Sequence, residues 1–312
     1  MCGFIGFSGN LDNKEAILQK MMDRIVHRGP DMGGMYTDDG IALGFRRLSI
    51  LDLSDAGAQP MANEDKSVVV VFNGEIYNFM ELRRELEAKG HTFHCGADTE
   101  VLIHGYEEYG TELIYRLRGM FAFVLWDAKN KRMFGARDIF GIKPFYYYPV
   151  PDGSGLVFGS EIKAFLEHPK FVKAVNENAL RPYLTLQYSA TEETFFKGVY
   201  KLPAAHYFVY ENGKIDVRRF WDCEFDPQPQ NFEACADKLD EVVHESVAAH
   251  RIADVKVGSF LSGGVDSSYI AAVLMPDTTF SVGFDYNKFN ETNYAAELSD
   301  KLGIRNRRTP IT

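Results

Sequence analysis

The pattern of apolar residues changes near residue 225, and this change constrains the fold more than any other feature of the sequence. Before it, short apolar runs closed by turn residues, such as SVVVVFNGEIYN and GMFAFVLWD, predict strands with helices between them. The polar stretch EFDPQPQNFE is predicted to be a linker. After it, we expect a helix at 232–250, a strand at 255–261, a helix at 266–274, a strand at 279–284 and a helix at 291–302. This alternation is typical of βαβ units around a parallel sheet.

The first part of the chain divides further by the spacing of its apolar and turn residues. Helices are predicted at 14–26, 79–90 and 99–110, two of them ending at a glycine. Strands are predicted at 41–53 and 67–78, and two hairpins turn at 129–131 and 151–154. The run Tyr146–Tyr148 is interpreted as a strand in an aromatic core rather than as a stacking site.

Composition and charge restrict the classes of function. A chain of 312 residues suggests two domains, and 46% hydrophobic with 25% charged residues is typical of a globular protein. The net charge of −10 argues against general nucleic-acid binding, and the basic run Arg305–Arg308 is interpreted as a solvated end of an element. No stretch is long and apolar enough for a membrane span, and the N-terminus lacks a secretory signal pattern. The four cysteines show neither C-x-x-C pairing nor metal-ligand spacing, so we expect free thiols in a reducing cytoplasm.

A glycine-rich turn, SGGVDSS, precedes one of the predicted helices. Gly263 and Gly264 let the backbone turn tightly and approach an anion, and the helix start adds a positive dipole end. The turn is neither a Walker A sequence nor a dinucleotide-binding turn. Asp266 is compatible with an anion site if Mg²⁺ bridges its carboxylate to phosphates. The alternative is a plain strand-to-helix turn in which Ser262 caps the helix.

Cys2 directly follows the initiator methionine. After removal of Met1 the residue would carry a free α-amine, whose pKa of about 7.7–8.0 suits a base near neutral pH. In N-terminal nucleophiles, the α-amine of the nucleophilic residue acts as the base for its own side chain. Taken alone, an incidental cysteine is the alternative. Cys95, Cys223 and Cys235 are interpreted as structural or incidental.

Two groups of motifs resemble one family. SGGVDSS is similar to the pyrophosphate loop of ATP pyrophosphatase domains, and ADVKVGSFLSGGVDSSYIAAVL is most similar to the asparagine synthetase type. Seven ordered motifs resemble the class II glutaminase domain of glutamine-dependent asparagine synthetases: MCGFIGF, HRGPD, RRLSILDL, VVFNGEIYNF, ADTEVLIHGYEEYG, LRGMFAFVLWD and FGSEIKAF. The resemblance implies an α+β N-terminal nucleophile domain, an αββα sandwich, at 2–190 and a connecting hairpin and linker at 191–230. Residues 231–312 would be the first part of an α/β parallel-sheet ATP-pyrophosphatase domain.

The resemblance implies roles in the first domain. Cys2 would be the nucleophile, and the Asn73 side chain with the Gly74 N–H would form the hole for the tetrahedral oxyanion. The remaining residues would bind glutamine. Arg47 would bind its α-carboxylate, and Asp98 would face its ammonium. The backbone near Leu48 and Ile50 would line the same site, and the Glu75 side chain would also bind glutamine.

In the second part, the resemblance implies an ATP site formed by Leu261, Ser262, Gly263, Gly264, Asp266, Ser267 and Val282, with Asp266 as a candidate Mg²⁺ ligand. Two positions depart from the family pattern. Ile139 stands where a polar residue is common, and Asn290 stands where an acidic residue usually precedes Glu291.

The resemblance implies that Cys2 releases ammonia from glutamine and that the ammonia amidates aspartate activated by ATP–Mg²⁺. Family members usually continue well beyond this length, so we expect an N-terminal fragment whose glutaminase half is complete and whose synthetase half is not. Two alternatives stay open: an amidotransferase for another carboxylate, and a silent fragment that binds glutamine or a partner. The sequence does not fix the oligomeric state, and a homodimer is compatible with it.

Overall fold

The computed structural model describes residues 2–284 and 291–311. They fall into two compact units, divided between Glu224 and Phe225. Asn290, where the chain departs from the family pattern, lies outside the described residues.

The first unit contains twelve strands in its described part. They are β1 (Gly3–Ser8), β2 (Met32–Thr37), β3 (Ile41–Arg47), β4 (Met61–Ala62), β5 (Val68–Ile76), β6 (Gly119–Asp127), β7 (Arg132–Arg137), β8 (Tyr146–Pro149), β9 (Leu156–Gly159), β10 (Tyr200–Lys201), β11 (His206–Glu211) and β12 (Lys214–Arg219). They form two six-stranded antiparallel sheets, ordered β10-β8-β9-β1-β3-β2 and β12-β11-β7-β6-β5-β4.

Four helices accompany these strands: α1 (Lys14–Asp23), α2 (Phe79–Ala88), α3 (Glu100–Tyr109) and α4 (Glu177–Leu186). α1 packs on the outer face of the first sheet through Leu18 and Met21. α3 contacts β5 and α2 contacts α3, and the Tyr106 ring of α3 stacks on Phe134 of β7 with ring centroids 5.9 Å apart. Two face-to-face sheets therefore lie between outer helices, which is a four-layer αββα sandwich.

Strand β1 shows why this sequence enters a doubly covered sheet. Phe4 packs into the core between the two sheets, whereas Ile5 and Phe7 pack on the opposite face, against α1. Because successive side chains of a strand point to opposite faces, a strand covered on both faces needs apolar residues at every position. A Cβ on Gly6 would lie 2.5 Å from the Phe158 ring, so the small residue of this alternation is required by close packing.

Several predicted elements of the first unit are confirmed, and the largest differences in their ends are at β3 and α1. The hairpin turns at 129–131 and 151–154 lie between β6 and β7 and between β8 and β9, as expected. The strand predicted at 41–53 ends at Arg47, since the Leu48 backbone groups contact Cys2 and the Ser54 carbonyl accepts from Arg47. The helix predicted at 14–26 ends at Asp23 and is followed by a 3₁₀ turn.

Residues 191–224 belong to the first unit. β11 and β12 form a hairpin, and β11 is hydrogen-bonded to β7 along Tyr207–Tyr210. The domain boundary at residue 190 stays a prediction, while the compact unit as a whole reaches Glu224. The arrangement fits the expected hairpin and makes it part of the second sheet.

The second unit contains α5 (Phe232–Ala249), β13 (Ser259–Phe260), α6 (Val265–Leu274), β14 (Thr278–Phe284), α7 (Thr292–Leu302) and β15 (Arg305–Ile311). The strands form a parallel sheet in the order β13-β14-β15, which confirms the expected alternation. The strand predicted at 255–261 is paired only at Ser259–Phe260. The three arginines of the basic run, at positions 305, 307 and 308, are exposed.

Two further expectations concern the chain as a whole. All four cysteines are free thiols. Within the described ranges 2–284 and 291–311, none of the helices combines the length and apolarity that a bilayer crossing requires.

Candidate active site

Cys2 stands directly before β1 and is held by backbone groups of Leu48 and by the side chain of Arg28. The Leu48 N–H donates a hydrogen bond to the Cys2 sulfur at 3.3 Å, and the sulfur lies 3.5 Å from the Leu48 carbonyl oxygen. The Arg28 guanidinium donates from Nε to the Cys2 carbonyl at 2.9 Å. A Cβ on Gly3 would lie 2.8 Å from the Arg28 side chain, so the residue after the thiol must be small. The thiol is therefore fixed in position before any substrate arrives.

The charge state of this thiol depends on its burial. Burial raises the pKa of Cys2 above its usual value, and the hydrogen bond from Leu48 opposes that shift only in part. A thiol with a raised pKa is a poor nucleophile until a base removes its proton. The environment of Cys2 thus calls for a base within reach, such as the α-amine of a processed N-terminus.

Arg47 stabilises the loop that follows β3. Its guanidinium is buried and donates to the carbonyl oxygens of Leu51 at 3.2 Å, Ser54 at 2.8 Å and Asp52. The loop that carries Leu48 is thereby held against the end of β3. Contact of Arg47 with a substrate carboxylate and of the Leu48 backbone with glutamine stay predictions. Ile50, in the same loop, is half-buried.

Asn73 and Gly74 lie on β5, opposite Ala122 and Phe121 of β6. Asn73 is only 1% exposed, and within residues 2–284 and 291–311 its Nδ2 has no hydrogen-bond partner. A buried amide donor without a partner costs about 1–3 kcal/mol, so its retention calls for an explanation. A Cβ on Gly74 would lie 2.3 Å from the Met120 carbonyl oxygen, so only glycine fits beside it.

Strand β5 adjoins the strand that follows Cys2. β1 contacts β5 across the two sheets, and Cys2 packs against the core cluster that includes Val71, two residues before Asn73. The charges of Cys2 and Glu75 also influence each other. The sandwich therefore brings the predicted nucleophile and the predicted oxyanion donors to one region.

Glu75, which is half-buried, and Asp98, which is buried, form an acidic pair. The Asp98 carboxylate accepts from the Ile76 N–H at 2.8 Å, which ties the start of α3 to the end of β5. Burial, with the neighbouring Asp98 charge, raises the pKa of Glu75 to about 8, and burial raises the pKa of Asp98 as well. The pair therefore holds a proton near neutral pH, and a cationic ligand group would favour its ionised form.

The structure adds two residues that the sequence analysis left without a role. Arg28 holds Cys2, and Lys143 is buried with its charge in the fields of Cys2 and Glu75. Asp138 organises the loop before Lys143 by accepting from its N–H at 3.0 Å and from the Phe121 N–H at 3.2 Å. Arg28 belongs to the motif HRGPD, which was the available signal, whereas Lys143 lies outside the seven motifs of the family resemblance. Ile139, the departure from the family pattern, is half-buried in the same loop.

In the second unit, the glycine-rich turn connects β13 to α6. Gly263 has a φ of 98°, a conformation that favours glycine. The Ser262 and Ser267 hydroxyls lie 2.9 Å apart, and the Gly264 N–H donates to the Ser262 hydroxyl at 3.2 Å. These hydroxyls and the start of α6 provide the donors that a phosphate requires.

The other residues predicted to bind ATP differ in how exposed they are. Leu261 is buried and its N–H donates to the Phe280 carbonyl at 2.8 Å, while Val282 of β14 is exposed. Asp266 lies in the first turn of α6 and is exposed. An exposed carboxylate at the start of the helix that follows this turn fits an Mg²⁺ ligand, and this role stays a prediction.

A four-layer sandwich with a held thiol before its first central strand defines an N-terminal nucleophile fold. A solved Bacillus subtilis glutamine phosphoribosylpyrophosphate amidotransferase matches 98% of this chain and 65% of its own, with a TM-score of 0.53 and 16% identity, which supports the fold alone. The chain belongs to the glutamine amidotransferase family: the model described as "Glutamine amidotransferase domain" matches residues 1–221. A second model, "Asparagine synthase", matches residues 238–312.

The chain is also similar to curated proteins. Glutamine-hydrolysing asparagine synthetase 1 of Bacillus subtilis (strain 168) is 39% identical over 98% of this chain, and asparagine synthetase 3 of that strain is 35% identical over 92%. The matched region is 49% of each relative. The chain thus spans about half the length of the curated relatives it matches, and the expected family resemblance is confirmed.

Proposed function

We propose that this chain hydrolyses glutamine at Cys2. The observation that carries the proposal is the Asn73 amide, which is buried without a partner for its Nδ2 among the described residues, on the strand that adjoins β1. A buried hydrogen-bond donor without an acceptor can stabilise an oxyanion that forms only during the reaction. Family membership and the similarity to proteins named glutamine-hydrolysing support the same proposal.

The chemistry follows from the residues at the site. The α-amine of Cys2 takes the thiol proton, and the sulfur attacks the glutamine carboxamide carbon. The resulting oxyanion accepts hydrogen bonds from Asn73 Nδ2 and the Gly74 N–H. Ammonia leaves with the proton from the amine, and water then cleaves the γ-glutamyl thioester to glutamate and free thiol. Glu75 and Asp98 bind the substrate, with Asp98 facing its ammonium and Arg47 its carboxylate.

A glutaminase assay tests this proposal with a matched pair of variants. Cys2→Ala removes the nucleophile, so we expect ammonia release to fall to background. Cys223→Ala removes an exposed thiol of the same unit and should leave the rate unchanged. Ammonia release that persists in Cys2→Ala at the rate of the unaltered chain would contradict the proposal.

We further propose that the second unit is part of a synthetase that uses this ammonia to convert aspartate, activated by ATP–Mg²⁺, into asparagine, with AMP and pyrophosphate as the other products. The glycine-rich turn and the match to an asparagine synthase model support this half of the proposal. The four free thiols fit a cytoplasmic location.

Equilibrium dialysis with ATP tests the role of the turn. We expect binding to the chain to require Mg²⁺ and to be lost in Asp266→Ala, because the carboxylate would bridge the ion to the phosphates. Asp277→Ala changes an exposed carboxylate of the same unit and serves as the control. Equal binding by the two variants would refute the assignment of Asp266.

A further inference from the structure

A second group of ligand-type side chains lies between α2 and α3. His91 follows the end of α2, whereas His104 and Glu107 are three residues apart on α3 and share one helix face. One ligand atom from each of the three lies within 4.8 Å of the others. We call these residues the His91–His104–Glu107 cluster. The proposed glutamine hydrolysis uses none of them.

The distances between ligand atoms in the cluster are similar to those between ligands of a bound metal ion. Glu107 Oε2 lies 2.8 Å from His104 Nδ1 and 3.6 Å from His91 Nδ1. Ligand atoms about 2.0–2.1 Å from a tetrahedral Zn²⁺ are about 3.3 Å apart, between these two values. Small side-chain movements would therefore bring the three atoms to bonding distance of one ion.

The outer contacts of the cluster follow the pattern of metal-binding histidines. His104 Nε2 lies 3.8 Å from Glu100 Oε1, and His91 Nε2 lies 3.5 Å from Glu108 Oε2. Each imidazole thus directs one nitrogen towards Glu107 and the other towards a second carboxylate. In metal sites a carboxylate that is hydrogen-bonded to the outer nitrogen orients the ring and fixes its tautomer, so these separations of 3.8 and 3.5 Å would have to shorten when an ion binds.

Glu107 is oriented as well, and the cluster is reachable from solvent. The Asn63 amide donates to Glu107 Oε1 at 2.7 Å, which leaves Oε2 to face the two histidines. A cavity of about 430 Å³ lies beside the cluster and is lined by Asn63, His94, Cys95, Glu100 and His104, among others. An ion could enter by this route, and water could complete its coordination.

We propose that the His91–His104–Glu107 cluster binds a divalent transition-metal ion, with Zn²⁺ as the best match to two imidazoles and one carboxylate. Imidazole nitrogen and carboxylate oxygen are both Zn²⁺ ligands, and three protein ligands leave a fourth position open. The ion would connect the end of α2 to α3, whose first residue, Glu100, comes two positions after Asp98. The site would therefore fix the helical layer that supports the glutamine pocket.

The competing arrangement is a network of ion pairs without metal. Burial opposes a charge on His104, but the neighbouring Glu100 and Glu107 carboxylates outweigh it and raise the pKa of His104 to about 9. A protonated imidazole cannot coordinate an ion, so Zn²⁺ would have to displace this proton. Direct measurement of Zn²⁺ binding separates the two arrangements.

Titration calorimetry with Zn²⁺ tests the proposal on the whole chain in a Cys2→Ala background, which removes the reactive thiol as a ligand. We expect one equivalent of Zn²⁺ and a tetrahedral absorption spectrum when Co²⁺ is substituted. His91→Ala and Glu107→Gln remove one ligand each and should weaken binding by about 100-fold or more. Glu108→Gln removes only an outer partner of His91 and should weaken it by about 10- to 100-fold.

His94→Ala is the matched control, because His94 lies in the same segment, borders the same cavity and has a side chain that is 65% exposed. It should bind Zn²⁺ with unchanged affinity. Loss of binding in His94→Ala with retention in His91→Ala would place any ion elsewhere and overturn the proposal. Absence of a stoichiometric Zn²⁺ site in the Cys2→Ala chain would overturn it too, in favour of the ion-pair network. None of these readouts depends on glutamine hydrolysis.

Discussion

The two units differ most in how much apolar surface they cover. In the first, the interfaces between the sheets and against α1 are filled by large buried side chains, among them Phe4 and Phe45. In the second, the buried cluster of the described residues consists of Leu261, Ala271 and Ala295, while Phe260 is 82% exposed. A large core supports a preorganised site, and a small one does not.

The polar groups of the two candidate sites reflect this difference. Asn73 remains buried without a partner for its Nδ2 in the described residues, a condition that only a strongly packed surrounding can maintain. The hydroxyls of Ser262 and Ser267 instead pair with each other near the surface. In the first site a donor is already available to an oxyanion. In the second site the two hydroxyls would have to break their mutual hydrogen bond before they could bind a phosphate.

The largest expected effect concerns the two cores. Phe123→Ala removes a fully buried ring from the first unit and should lower its free energy of unfolding by about 3–5 kcal/mol. Phe260→Ala, in the second unit, removes an exposed ring and should change it by less than about 0.5 kcal/mol. Urea denaturation measures both variants. Similar losses for the two would remove the distinction between the units.

The next effect concerns the unpaired amide. Asn73→Ala should lower kcat for glutamine hydrolysis by about 10²–10³-fold, the usual cost of one oxyanion donor. Because Asn73 Nδ2 has no partner to lose in the described part of the structure, the melting temperature should not fall. Steady-state kinetics with parallel thermal melts would check this. A chain that loses stability but keeps its kcat would show that Asn73 is structural.

A smaller effect is expected in the glycine-rich turn. Gly263→Ala places a Cβ 2.7 Å from the Glu291 carbonyl oxygen at a φ of 98°, so it should destabilise the second unit by about 1–3 kcal/mol. Gly264→Ala is the control, since its Cβ would lie 3.5 Å from its nearest neighbour, the Ser262 hydroxyl. Glutamine hydrolysis should be unchanged in both. A loss of hydrolysis in Gly263→Ala would mean that the turn supports the first site.

The smallest effect is a pH dependence of stability in the first unit. Burial and Asp98 raise the pKa of Glu75 from 4.5 to about 8, so between these values the folded chain holds a proton that the unfolded chain has lost. Stability should therefore fall as pH rises through this window, by less than about 1.4 kcal/mol per pH unit. Glu75→Gln should flatten the fall in thermal melts from pH 5.5 to 7.5. An exposed control, Glu224→Gln, should not, and equal slopes in both variants would refute the assignment.

Local patterns predicted most of the secondary structure. The alternation of helices and strands after residue 231 and both hairpin turns could be predicted because apolar spacing and turn chemistry are local. The loop after Arg47 could not, since its conformation depends on contacts of Leu48 with Cys2, 46 positions away. α4 was missed as well, and it contains Pro182, which ordinarily ends a helix.

The candidate sites were predictable only in part. Cys2 and the turn around Gly263 carry a chemical pattern within a few residues, whereas Asn73 and Asp98 acquired roles only through the family resemblance. The His91–His104–Glu107 cluster was not predicted, because its ligands come from separate segments and meet only when α2 packs against α3. Sequence spacing alone cannot reveal such a meeting.

The proposed reaction requires that Cys2 become an N-terminal residue whose thiol attacks a carboxamide. Mass spectrometry of the whole chain after reaction with a glutamine-mimicking alkylator tests this most directly. We expect a single adduct on Cys2, on a chain that begins at Cys2, and protection by excess glutamine. An adduct on another cysteine, or labelled protein that retains Met1, would contradict it.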